Sequence, residues 1–339
     1  MKSKVLVTGG GGYIGSILCP MLVDKGYDVT VLDRFFFGKE RLKSVLDSVH
    51  LVKDDIRWYD HSMLKGFDVL IDLAALSNDP TGELNPELTL DINYKARVGN
   101  ALAAKKFGVS TYIFASSTST YGFQKEIVNE KSEVNPLTTY AKANVLAEKE
   151  ILPLADKMFH PTVLRQSSVY GPSPRMRFDI SLNNMVLNVF LGKKIPLMRD
   201  GNQVRPMIHV NDTAQAFISI MEADPKLVSG EIFNVGSNDQ NFKLYDMAQL
   251  VSESTGVPFD FEWYGFPDFR SYTVSFDKIK NVLGYKIRNP AKEGAREVFE
   301  ALSSGAIDHK DKTITLDWYK ELLRMKSVLD EVTIDGKIF

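Results

Sequence analysis

Short apolar, β-branched runs alternate with helix-length amphipathic stretches through the first half of the chain. The runs are Val5-Leu6-Val7, Val29-Thr30-Val31-Leu32, His50-Leu51-Val52, Val69-Leu70-Ile71, Tyr112-Ile113-Phe114-Ala115 and Thr162-Val163-Leu164-Arg165. Between them lie helical patterns, the longest over 88–107 and 140–157. This alternation predicts an α/β fold, a doubly wound parallel sheet with helices on both faces. After Gly171-Pro172-Ser173-Pro174 the pattern loosens, yet Ile232-Phe233-Asn234-Val235-Gly236 reads as one more sheet strand. Residues 1–175 and 176–339 are therefore expected to form a sheet domain and a smaller, interleaved second lobe rather than two lobes divided at one linker.

In such sheets ligands collect beyond the carboxyl ends of the strands, and the polar and small residues there are the informative ones. Strand 5–7 runs into Thr8-Gly9-Gly10-Gly11-Gly12-Tyr13-Ile14-Gly15, and the next strand ends on Asp33. Gly9, Gly12 and Gly15 are spaced to turn the backbone tightly, admit a pyrophosphate and pack a helix close on the strand. The phosphates then lie at that helix's N-terminus, where free N–H groups and the dipole favour negative charge. Asp33 is placed to bond adenosine ribose hydroxyls and to repel a 2′-phosphate, which selects NAD over NADP. Arg34, directly after it, is the one feature working against that choice. The sheet is expected to be Rossmann-type, with NAD as cofactor.

A formal net charge of -2, without a basic stripe, gives no electrostatic support for nucleic acid or an anionic membrane as partner. No run approaches the ~18 apolar residues of a membrane span, and the apolar run behind the basic start breaks at Gly9, so a cytoplasmic location is expected. Cys19 is the only cysteine and the five histidines are scattered, so no metal site is expected. Cys19 reads as a small apolar residue on the first helix. Phe35-Phe36-Phe37 reads as packing near the adenine edge or against a partner.

Ser116-Ser117-Thr118-Ser119-Thr120-Tyr121-Gly122 follows a strand, and Tyr140 opens a helix about 20 residues later. A hydroxyl at a strand end facing a tyrosine suits proton transfer with a substrate alcohol, tyrosinate acting as base while NAD takes the hydride.

On these motifs the chain is similar to the extended short-chain dehydrogenase/reductase family, specifically its nucleotide-sugar epimerases and dehydratases, over essentially its whole length. The resemblance assigns Gly9, Gly12, Tyr13, Ile14, Gly15, Asp33, Arg34, Asp55, Ile56, Ala74, Ala75 and Asn93 to the cofactor. It makes Tyr140 the catalytic tyrosine and Ser117 the active-site serine, with Thr118 and Asn144 beside them. Arg205 and Arg270 fall where the family binds the substrate pyrophosphate. Arg175 and Arg177 are further substrate candidates, although solvated surface positions are the commoner fate of such arginines. The runs around 173–179 and 270–275 resemble a bacterial subgroup that includes GDP-heptose C4 dehydrogenases. A nucleotide-diphosphate sugar is the substrate implied. A homodimer built on helices 88–107 and 140–157 is implied as well, with Leu146 and Ile151 either in its seam or facing the sheet.

Two positions depart from the family pattern. Where its 4,6-dehydratases carry an Asp-Glu pair, this chain has Thr118 and Ser119, which argues against dehydration. The family also places a lysine one helical turn after its tyrosine; here that position is Asn144. Lys142 does not replace it, since two residues turn a helix by about 200°. A unit charge about 4 Å away at an effective dielectric of about 20 is worth roughly 4 kcal/mol. Its loss leaves Tyr140 near the unperturbed value of about 10, partly offset by the positive nicotinamide ring. An enzyme acting at C4 as epimerase or dehydrogenase is the leading expectation. A 4-ketoreductase, or an NAD-binding relative that Asn144 has impaired, are the alternatives.

Overall fold

In the computed structural model, which describes residues 3–266, 270–310 and 312–337, seven strands form the central sheet. They are β1 (Lys4–Thr8), β2 (Asp28–Asp33), β3 (Val49–Lys53), β4 (Val69–Asp72), β5 (Thr111–Ser117), β6 (His160–Gln166) and β7 (Glu231–Val235). Their spatial order is β3-β2-β1-β4-β5-β6-β7, and every neighbouring pair is parallel. Strand order reverses between β1 and β4, which opens a crevice at the carboxyl edge.

Alternate strand residues feed two cores. Val5, Val7, Val29, Val31, Ile71 and Ile113 pack with Leu18, Cys19 and Leu22 of α1 (Gly15–Asp24) and Ala214, Phe217 and Ile218 of α4 (Val210–Met221). Leu6, Leu32, Leu70, Tyr112 and Phe114 pack with Val98, Ala101 and Ala104 of α2 (Arg97–Lys106) and Ala147 and Ile151 of α3 (Thr139–Ile151). A strand covered on both faces needs apolar residues at every position, which is why the runs read as continuous rather than alternating.

The expected helix over 88–107 is broken into Pro86–Leu90, a wider π turn over Asp91–Ala96, and α2. In that turn Asn93 is buried with its amide spent on the Leu76 backbone, accepting from the N–H at 2.8 Å and donating to the carbonyl at 2.9 Å. The helix expected to 157 stops at Ile151 because Pro153 has no N–H to continue the ladder. Ile151 faces the sheet, whereas Leu146 is exposed.

The rest of the second half carries a three-stranded sheet of Ser168–Tyr170, Val204–His209 and Asn241–Lys243. The last helix, α5 (Thr315–Val332), returns to the loop after β2. There Trp318 Nε1 donates to the Phe36 carbonyl at 2.8 Å, and the Tyr319 ring lies 5.9 Å from both Phe36 and Phe37. The aromatic run thus packs against the chain's own C-terminal helix. No helix among the described residues is long and apolar enough to cross a membrane, and no group of His, Cys, Asp or Glu among them is arranged to hold a metal ion.

Candidate active site

A cleft of about 800 Å³ opens at the carboxyl ends of the strands. Its floor is the glycine turn. Gly9 has φ +70°, and a Cβ there would meet the Ala74 backbone at 2.8 Å; a Cβ on Gly15 would meet Gly10 Cα at 2.5 Å. Either side chain would push apart the segments that shape the turn. Gly12, Tyr13 and Ile14 line the cleft where α1 begins, so free N–H groups and the helix dipole face it. Asp33 closes the far side, one oxygen accepting from Gly11 N–H at 3.0 Å and the other from Phe35 N–H at 2.6 Å. Burial pushes its pKa up, and those backbone donors pull it back. Arg34 bonds Asp55 at 2.8 Å, while Arg57 holds the same carboxylate through two bonds of 2.9 Å. Desolvation works against that carboxylate, but the Arg57 bonds outweigh it and hold its pKa below the usual range. Asp55 is committed to the two arginines, and Arg34 is neutralised rather than offered to a phosphate. Ile56, Ala74 and Ala75 complete this wall. Asn93 is not on it.

At the other end, Ser117 and Tyr140 both line the cleft. Burial pushes the Tyr140 pKa up. Arg97, the Asn144 amide and the Ser117 hydroxyl pull it down, and Asp79 opposes them. Arg97 is fully buried, its guanidinium donating to the carbonyls of Asp72 at 2.6 Å and Ala115 at 3.0 Å, across the ends of β4 and β5. Asn144 lies behind the cleft wall. Thr118 does too, its hydroxyl donating to the Gln166 carbonyl at 3.2 Å. Ser119 Oγ and both amide atoms of Gln166 are buried in residues of the cleft lining and have no hydrogen-bond partner.

The substrate-candidate arginines divide. Arg177 grips Asp179 through two bonds of 3.0 Å and reaches Ser77 Oγ at 3.1 Å. Burial opposes the Asp179 charge, but Arg177 overrides it and takes the carboxyl down to about 2. Arg175 and Arg177 are both buried, contrary to the solvated positions common for such residues. Arg205 lines the cleft with its guanidinium 5.6 Å from the Tyr272 ring, and it donates to the Arg270 carbonyl. Arg270 stands behind it, ion-paired to Asp79 at 2.6 Å.

The sequence profile of the NAD dependent epimerase/dehydratase family matches residues 5–236. The chain belongs to that family. Among similar proteins, a UDP-N-acetyl-alpha-D-glucosaminuronate decarboxylase of Bacillus cytotoxicus is 27% identical over 321 residues, 88% of this chain and 98% of the relative. A UDP-glucose 4-epimerase of Corynebacterium glutamicum is 26% identical over 300 residues, 83% of this chain and 90% of the relative. The solved structure of MoeE5 in complex with UDP-glucuronic acid and NAD superposes with a TM-score of 0.79 at 25% identity, covering 89% of this chain and all of that one.

The family's cofactor is NAD, and the cleft fits it, with a glycine cradle that any Cβ would fill at one end and unpartnered polar atoms at the other. Gln166 and Arg97 escaped the sequence reading. Gln166 had a signal: it ends β6 in register with Ser117, the kind of position where sheet ligands collect. Arg97 had none, since nothing local distinguishes a buried helical arginine from a solvated one.

Proposed function

We propose that this family member oxidises the C4 hydroxyl of a nucleotide-diphosphate sugar, as a 4-epimerase or a 4-dehydrogenase. The observation that carries this is the pairing of Tyr140 with Ser117 at the chemical end of the dinucleotide cleft. Ser117 orients the sugar hydroxyl, and Tyr140, as tyrosinate, takes its proton. NAD, when bound, would supply the hydride acceptor, and the hydride donor where the outcome is epimerisation. Gly9, Gly12, Tyr13, Ile14 and Gly15 hold the dinucleotide, and Asp33 takes the ribose hydroxyls. Arg205 binds the substrate diphosphate, with Arg270 behind it as its backbone support. Thr118 and Ser119 supply no carboxylic acid for elimination at C6, which argues against dehydration.

The similar UDP-sugar enzymes support a nucleotide-linked substrate and make UDP-sugars the first probes. Leu102 on α2 and Leu146 on α3 are exposed apolar residues on neighbouring helices. They support a homodimer built on those two helices. Incubating the protein with UDP-, GDP-, CDP- and dTDP-linked hexoses, and following C4 configuration and NADH absorbance, tests the function. A Tyr140→Phe protein as active as wild type would refute the mechanism.

A further inference from the structure

We propose that Arg175 is an anion ligand of the dinucleotide site, gripping the cofactor's diphosphate from across the cleft, opposite the glycine turn, and seated there by the C-terminal helix. The inference rests on NAD occupying this cleft. It moves Arg175 from the substrate to the cofactor.

The first support is placement. Arg175 lines the same cleft as Gly12, Tyr13 and Asp33 and is 3% exposed. The segment carrying it is fastened to the glycine turn. Tyr13 Oη donates to the Gly171 carbonyl at 2.6 Å, Ser173 Oγ donates to the Tyr13 carbonyl at 2.9 Å, and Ser173 and Ser16 hydroxyls meet at 2.9 Å.

The second is an incomplete set of partners. A guanidinium has five N–H donors, and this one bonds Thr315 Oγ1 at 2.8 Å and the Met176 carbonyl at 3.3 Å. Among the described residues no carboxylate forms an ion pair with it; the nearby Asp179 is ion-paired to Arg177, two residues on, and also accepts from Asn78. Asp179 and Asp33 attract it without direct contact, the first bonded to Arg177 and Asn78 and the second to two backbone N–H groups. A buried cation with no carboxylate in direct contact is costly, and an anionic ligand entering the cleft supplies a direct partner. Burial, then repulsion from Arg177, pulls its pKa down to about 9, so it remains charged at neutral pH.

The third is the scaffold. The guanidinium stacks 3.8 Å from the Phe37 ring centroid, and Thr315, its hydrogen-bond acceptor, opens α5. Trp318 and Tyr319 then tie the same helix to Phe36 and Phe37. Leu322, Leu323 and Lys326 of α5 continue along the cleft wall. The aromatic run and the last helix flank the arginine on two sides.

Calorimetry on the full chain stripped of nucleotide tests this with adenosine, ADP, NAD and NADP. Arg175→Met is expected to weaken ADP and NAD at least tenfold while leaving adenosine unchanged. Arg175→Lys is expected to recover part of the loss, and Thr315→Val to weaken ADP severalfold. An ADP-to-adenosine affinity ratio that stays at the wild-type value in Arg175→Lys and Thr315→Val overturns the assignment, even if Arg175→Met does not fold. Loss of NADP binding alone would place the residue at a ribose phosphate instead, and also overturns it. Failure of wild type to bind either ADP or NAD would instead strike the cofactor reading itself.

Discussion

Asn144 sits one helical turn beyond Tyr140 on α3, wholly buried, and its amide atoms find no partner of normal hydrogen-bond geometry. It shares the face that carries the tyrosine but brings no charge to it. The cation that pulls the Tyr140 pKa down is Arg97, at the start of the neighbouring helix α2. Charge and position are thus divided between two residues.

Asn144→Lys places an ammonium one turn from the phenol. It is expected to lower the Tyr140 pKa, so that the ascending limb of the pH–rate profile moves to lower pH. Interaction with a charge about 4 Å away is worth roughly 2–4 kcal/mol, or about 30- to 1,000-fold in rate below that pKa. Proximity of Arg97 places the gain toward the lower end. Rates for wild type and variant on the same nucleotide sugar across pH 6–10 check this; a fall in rate at every pH would mean that the site is tuned to asparagine.

Arg97→Met works in the opposite direction. With the cation gone, Tyr140 rises and the ascending limb shifts to higher pH. The variant also leaves Asp72 buried without its ion-pair partner, 3.4 Å away in wild type, and breaking such a pair costs about 3–5 kcal/mol. Urea melts measure the second effect and pH profiles the first. Adding Asn144→Lys should restore the profile without restoring the stability, which separates electrostatics from scaffolding.

The sheet was legible because two-sided burial makes its strands predominantly apolar, and the glycine turn because only glycine tolerates the approach of Ala74. Ser117 and Tyr140 were legible as a spacing. The arginines were not: Thr315 lies 140 residues from Arg175, and the sequence does not show that Asp179, two residues beyond Arg177, turns back onto it. Nor does the sequence show that the amide of Asn93 serves the backbone of Leu76, a contact made from within the π turn. An unbroken helical pattern over 88–107 conceals that turn.

Stability at low pH should report Arg177–Asp179. The Asp179 carboxyl is held at about 2, against an ordinary value of 3.8. A depressed carboxylate pKa stabilises the fold above the unfolded-state value, and that stability is lost as pH falls toward the folded-state one. The window is therefore about pH 4 down to about pH 2, and the contribution is on the order of 2 kcal/mol. Asp179→Asn should flatten the decline there. An unchanged slope in denaturant midpoints would mean that other carboxylates carry it.

Gln166 offers a test in which stability and binding move apart. Its side chain ends β6 in register with Ser117, in the cleft lining, with donor and acceptor both unpartnered. An unpartnered buried polar group destabilises a fold by about 1–3 kcal/mol, so an amide with no partner within the protein adds little to the fold and is available to a ligand. Gln166→Leu removes that amide at nearly the same volume. The unliganded variant is expected to melt at a higher temperature than wild type. Its KM for the nucleotide sugar should rise about tenfold, the equivalent of one or two hydrogen bonds at about 0.5–1.5 kcal/mol each. Thermal melts without ligand and steady-state kinetics give the two numbers. A variant that is less stable and binds as well as wild type would show that the amide serves the fold rather than the substrate.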